Sequence, residues 1–121
     1  MGILPVLLAL SLPVSAVAAG EVVVYSARNE HLIKPLFDRF TAETGIEVRY
    51  ITDKAGPLLQ RLKAEGKRTP ADVLMTVDAG NLWHAAESGV LASIDSPVLT
   101  ANVPSSLRDR DGRWFGLSER A

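Results

Sequence analysis

Hydrophobic positions change their period several times along the chain, and each change marks an expected element. Val22, Val23 and Val24, followed by Tyr25, form a continuous apolar, β-branched run, the pattern of a strand covered on both faces. It stops in a polar knot, Ser26-Ala27-Arg28-Asn29-Glu30-His31. From Glu30 to Glu43 the period becomes helical, with Leu32, Ile33, Leu36, Phe37 and Phe40 as its apolar positions, Asn29 as the natural N-cap and Gly45 as the C′ residue. Pro35 removes one backbone hydrogen bond inside this helix, so an irregular first turn or a later start is expected. Ile46, Val48 and Tyr50 then alternate with Glu47 and Arg49, which predicts a second strand with one wetter face.

Gly56-Pro57 opens a second helix bearing Leu58, Leu59 and Leu62 and ended by Gly66. The run from Ala71 to Val77 is the third strand, and Asp78 leads into a helix carrying Leu82, Trp83 and Ala86 that stops at Gly89. The order β-α-β-α-β with short connections predicts an α/β fold around a parallel sheet, which binds ligands at the carboxyl ends of its strands. Three polar loops fall on that edge: Ser26 to Asn29, Thr52 to Gly56 and Thr76 to Asn81. Each precedes a helix N-terminus, whose free N–H groups and dipole favour an anion. Beyond Leu91 the pattern thins into short segments punctuated by Pro97, Pro104 and the Asp111-Gly112 turn, with Trp114 to Leu117 apolar enough to begin another buried strand.

Composition narrows the possibilities. With 121 residues, 47% of them apolar and 22% charged, the chain suits one small folded domain. Thirteen basic residues against fourteen acidic ones, without a basic stripe, give no electrostatic case for nucleic acid. The absence of cysteine excludes disulfides, thiolate metal sites, cysteine nucleophiles and a lipidated cysteine anchor. The first twenty residues contain no charged side chain, and an apolar stretch around Ile3 to Leu12 runs into small residues, Ser15 to Gly20. Residues 1–19 therefore read as a secretory signal peptide cleaved before Ala19 or Gly20, although the usual basic residue near the start is missing. An uncleaved membrane anchor is the alternative, and Pro5, Pro13 and the small-residue exit argue against it. A soluble periplasmic protein is the expectation.

The candidate chemistry is sparse. His31 and His84 are the only histidines, and neither belongs to a metal-ligand spacing. Asp78 reads as an N-cap or a ligand, Tyr25 as a core residue with a satisfied hydroxyl or a functional phenol, and Arg28 as a solvated turn residue or an anion contact. No nucleophile elbow, P-loop or dinucleotide fingerprint occurs, so an enzymatic reading has no anchor. The residues alone imply a secreted α/β domain that binds an anionic or metal-bound ligand at one sheet edge.

Four stretches, "VVVYSARNE", "FTAETGIEV", "RTPADVLMTVDAGNLWHAAESGVL" and "NVP…LRDRDGRWFGLSERA", occur in an order and spacing that resemble the periplasmic ferric-iron-binding proteins of ABC transporters. These lie within the family 1 extracellular solute-binding proteins. Thr69 to Val73 combined with Thr76 to Asp78 is specific to the iron branch, whereas Glu43 to Val48 is shared more widely. The resemblance covers everything after Gly20 and implies that residues 20–121 form the N-terminal part of the first lobe of a two-lobe, periplasmic-binding-protein type II fold. A hinge would close the two lobes over a ligand.

The implied function is capture of Fe(III), without catalysis, by a monomeric receptor that hands it to an inner-membrane ABC permease. The runner-up cargo is a polyamine, phosphonate, thiamine or oxyanion. Ferric ion is hard and prefers anionic oxygen donors. In the family most of these are second-lobe tyrosines, often an adjacent pair, outside this sequence. First-lobe donors in relatives stand at the fourth and fifth positions after the strand tyrosine, here Asn29 and Glu30. Asn29 is a poor ferric ligand, so the resemblance leaves three routes: Glu30 supplies a carboxylate, His31 swings in, or a carbonate-like synergistic anion fills the gap. Arg120 matches an anion-binding arginine of some relatives, Arg28 could assist it, and Tyr25, Ser26 and Asp78 are expected to line the cleft. Other relatives place a carboxylate in the loop after the third strand, where Val77 stands beside Asp78.

Overall fold

A computed structural model of the chain describes residues 20–119; the expected signal peptide, residues 1–19, and Arg120 lie outside the described residues. Strands β1 (Glu21–Ser26), β2 (Glu47–Thr52) and β3 (Val73–Met75) form a parallel sheet in the order β2-β1-β3. Glu21 is in register with Glu47 and Ser26 with Thr52 on one side of β1, and Val24 pairs with Val73 and Ser26 with Met75 on the other. Helix α1 (Glu30–Thr44) connects β1 to β2, and α2 (Ala55–Glu65) with a 3₁₀ turn at Gly66–Arg68 connects β2 to β3. The periodic segments of the sequence thus become the expected α/β alternation.

The central strand is covered on both faces, as its unbroken apolar run requires. Val24 packs with Ile33 and Phe37 of α1, supported by Val22, Val48, Tyr50 and Met75. Tyr25 points the other way into a cluster with Leu58 and Leu62 of α2, flanked by Val23, Ile51 and Leu74. Side chains alternate along a strand, so the two helices clamp the sheet from opposite sides.

One feature of α1 departs from expectation, and another follows one of its two alternatives, the irregular first turn. Asn29 occupies the N-cap position but its side chain makes no capping hydrogen bond, so the cap is positional only. The helix is continuous from Glu30 through Pro35 rather than starting later. Its first turn is tightened instead: the Asn29 carbonyl accepts from both the Leu32 and Ile33 N–H groups, at 3.0 and 3.3 Å. Gly45 closes the helix at φ 74°, the left-handed conformation that the absence of a Cβ permits.

Beyond β3, helix α3 (Ala79–Glu87) begins at Asp78, whose carboxylate accepts from the Asn81 N–H at 3.0 Å. This is ordinary N-cap chemistry. Ala85 and Ala86 form the buried side of α3, whereas Trp83 is 55% exposed and not part of the apolar face the spacing suggested. A short α4 (Pro97–Asn102), capped by Ser96, and a 3₁₀ turn at Ser105–Leu107 follow. The expected strand near Trp114 to Leu117 is only an antiparallel bridge between Arg108 and Phe115. It closes a loop in which Asp109 accepts from the backbone and side chain of Arg113, at 3.1 and 2.8 Å.

Candidate functional site

The carboxyl edge of the sheet carries an open groove lined by Ala27 to His31, by Lys34, and by Thr52, Asp53 and Lys54. Its two walls are the loops that leave β1 and β2, and backbone hydrogen bonds fix both. The Asp53 N–H donates to the Ser26 carbonyl at 3.1 Å, and the Ala27 N–H to the Met75 carbonyl at 2.8 Å. Ser26 is fully buried beneath this junction, and its hydroxyl accepts from the Arg28 N–H at 3.0 Å. The serine therefore shapes the groove from below by turning the chain toward α1.

Of the residues singled out in the sequence, Arg28, Asn29, Glu30 and His31 are brought together on the groove wall. Tyr25 is not among them: it is 1% exposed, and its hydroxyl donates to the Glu65 carboxylate on the opposite face of the sheet. Its position in a two-sided strand sends alternate side chains to alternate faces, and Tyr25 faces α2. Asp78 is spent on its N-cap, and the β3–α3 loop contributes no lining residue to the groove. Lys34, Thr52, Asp53 and Lys54 were not named individually from the sequence. Lys34 lies one helical turn beyond Glu30, Thr52 ends β2, and Asp53 and Lys54 follow it in a loop expected at this edge.

Glu30 is held in place. The Tyr50 hydroxyl donates to its Oε1 at 2.7 Å, and the Tyr50 ring is packed against Phe37 with centroids 5.3 Å apart. The hydrogen bond to Glu30, then burial, pushes the Tyr50 hydroxyl above its ordinary pKa. Spacing puts Glu30, Ile33 and Phe37 on one helix face and Tyr50 on the inner side of β2, but only the packing of α1 on β2 brings Glu30 and Tyr50 together. Lys34 donates to Asp38 at 2.7 Å, and that hydrogen bond, followed by the Asp38 charge, raises its pKa. Arg28 stretches toward the chain's far end, with its Nη2 3.3 Å from the Ser118 hydroxyl. The segment preceding Arg120 thus lies within reach of Arg28.

Chemically, the groove offers one anchored carboxylate on Glu30, a second carboxylate on Asp53, and three cationic residues, Arg28, Lys34 and Lys54, of which Lys34 is paired with Asp38. The amino ends of α1 and α2 open beside it. Hard oxygen donors among positive groups suit a hard cation that arrives with an anion. Among the described residues no three His, Asp or Glu side chains cluster as a complete metal site.

A parallel α/β lobe with a polar groove at the carboxyl edge of its sheet has the layout in which such folds bind ligands. Residues 27–119 match the model of the bacterial extracellular solute-binding protein family, and the chain belongs to that family. It is similar to iron uptake protein A1 of Synechocystis, with 48% identity over 101 residues that cover 84% of this chain and 28% of the relative. It is also similar to the Fe(3+)-binding periplasmic protein of Serratia marcescens, at 33% identity over 88% of this chain and 31% of that protein. Among solved structures, the iron- and citrate-bound FutA of Trichodesmium superposes with a TM-score of 0.77 at 44% identity, covering 80% of this chain and 31% of the other. The chain spans about a third of the length of such relatives or slightly less.

Proposed function

We propose that the protein is the periplasmic receptor of an ABC importer for ferric iron, and that residues 20–119 supply one wall of the cleft that captures it. Residues 1–19 would direct export and be removed. A second lobe would bring the remaining oxygen donors, and closure about a hinge would bury the ion before delivery to a membrane permease. Arg28, joined by Arg120, would hold a carbonate-like or citrate-like anion against the metal.

The observation that carries this reading is the placement of Glu30. A carboxylate stands at the start of α1, two residues from Arg28, in a groove that also carries Asp53, Lys34 and Lys54. A hard trivalent cation and its anion satisfy both signs of charge in that groove. The similarity to iron-binding relatives supports the same cargo. The test is a thermal-shift panel on the full-length protein with Fe(III) citrate, thiamine, a polyamine and an alkylphosphonate. Stabilisation by iron alone is the expected result; stabilisation by one of the organic ligands and not by iron would overturn the assignment.

A further inference from the structure

We infer that Tyr50 is the positioning residue that makes Glu30, rather than Asn29 or His31, the metal-facing group of this lobe. The inference rests on the ferric reading above and deepens it. All three candidate donors stand consecutively on the groove wall, and all three are exposed. They differ in how they are held. Among the described residues, the side chains of Asn29 and His31 make no hydrogen bond, whereas Glu30 receives one at 2.7 Å from a tyrosine that cannot move freely. The Tyr50 ring is partly buried and packs against the Val24, Ile33 and Phe37 core beneath α1. That packing holds its hydroxyl beside the start of the helix, where it meets Glu30.

The hydrogen bond engages Oε1 only. Oε2 accepts none among the described residues, so the carboxylate keeps one oxygen available for a cation. A ligating carboxylate is commonly oriented by a hydrogen bond to its second oxygen, and loss of such an outer partner typically weakens metal binding by about 10–100-fold. Orientation also limits the rotamers that a long, exposed glutamate would otherwise sample before the ion arrives. Tyr50 touches the donor and acts through it.

The experiment uses the full-length protein, loaded with Fe(III) and titrated with citrate as competitor. Variants are Tyr50→Phe, Glu30→Gln, Glu30→Asp and the double Tyr50→Phe/Glu30→Gln. Tyr50→Phe keeps the ring against Phe37, so the iron-free variant is expected to melt within a few degrees of the parent. Its iron affinity should fall by about 10–100-fold, while the absorption band per bound iron stays unchanged. Glu30→Asp, too short to meet Tyr50 at the same point, should weaken binding comparably, and the double variant should be no weaker than Glu30→Gln. Parental affinity in Tyr50→Phe or Glu30→Asp would overturn the inference, as would additive losses in the double variant. Loss of phenolate-to-iron intensity in Tyr50→Phe would overturn it too, by making Tyr50 itself a ligand. If the parent binds no iron the receptor reading fails; if it binds and Tyr50→Phe is indifferent, only the positioning role fails.

Discussion

The Tyr25 hydroxyl at the centre of the sheet donates to both oxygens of Glu65 at the end of α2, at 2.8 and 2.9 Å. Thr69 adds a third hydrogen bond to the same carboxylate at 3.1 Å, and the Arg61 guanidinium lies 5.1 Å from the Tyr25 ring centroid while also reaching Glu65. This network fastens α2 and the turn after it to β1, from the side opposite the groove. Tyr25→Phe is expected to cost about 0.5–1.5 kcal/mol by chemical denaturation and to leave ligand affinity unchanged. A change in affinity without a change in stability would mean that Tyr25 serves the groove after all.

The same carboxylate sets a pH dependence. Burial pushes the Glu65 pKa up, but the hydrogen bonds from Tyr25, Thr69 and Arg61 together with the Arg61 charge outweigh it, so the net shift is downward. A depressed folded-state pKa contributes stability that is fully present above the unfolded value, about 4.3 for Glu, and is lost as pH falls through the folded value. Parent and Glu65→Gln should therefore differ most in melting temperature near neutrality and converge on acidification below about pH 4. A constant gap across that range would contradict the assignment.

Gly112 sits in the loop closed by the Arg108–Phe115 bridge, at φ 71°, and a Cβ there would lie 2.7 Å from the Ile94 carbonyl oxygen. Both the left-handed backbone and the close approach require glycine. Gly112→Ala is expected to destabilise by about 2 kcal/mol and to loosen the segment that carries Ser118 to Arg28. Hydrogen exchange over residues 108–118 checks the second part, with faster exchange as the expected outcome.

Pro35 lies inside α1 with no N–H to give to the helix. Replacing it by alanine restores that hydrogen bond, offset in part by the greater freedom of the unfolded chain. Pro35→Ala should stabilise by about 1–2 kcal/mol in a denaturant titration, with cargo binding unaffected. A loss of stability would indicate that the proline ring packs against a part of the protein outside residues 20–119.

The strands, the two connecting helices and α3 were legible because their apolar periods are long and their ends carry glycine, proline or a capping aspartate. Val22 to Tyr25 announced a two-sided strand, and Gly45 and Gly66 announced helix ends. What sequence missed was tertiary. Nothing local to Asn29, Glu30 and His31 distinguishes them, since the selecting contact comes from Tyr50 in another element. The resemblance placed Tyr25 in the cleft, whereas the pleat turns it toward α2, where it is the core residue with a satisfied hydroxyl that its own position also allowed. Trp83 fitted a helical apolar face that the described residues leave uncovered. Period reports which residues could be buried, and only the neighbouring elements decide which are.

The central claim is that the groove beside Glu30 and Arg28 is one wall of an iron-binding cleft. The most direct measurement is a crystal structure of the full-length, Fe(III)-loaded protein with anomalous data collected at the iron edge. One strong anomalous peak is expected beside the groove, with Glu30 Oε2 in its coordination sphere, Tyr50 still on Oε1, and an anion against Arg28. An iron peak remote from residues 27–34, or a protein that crystallises without iron from saturating Fe(III) citrate, would contradict it.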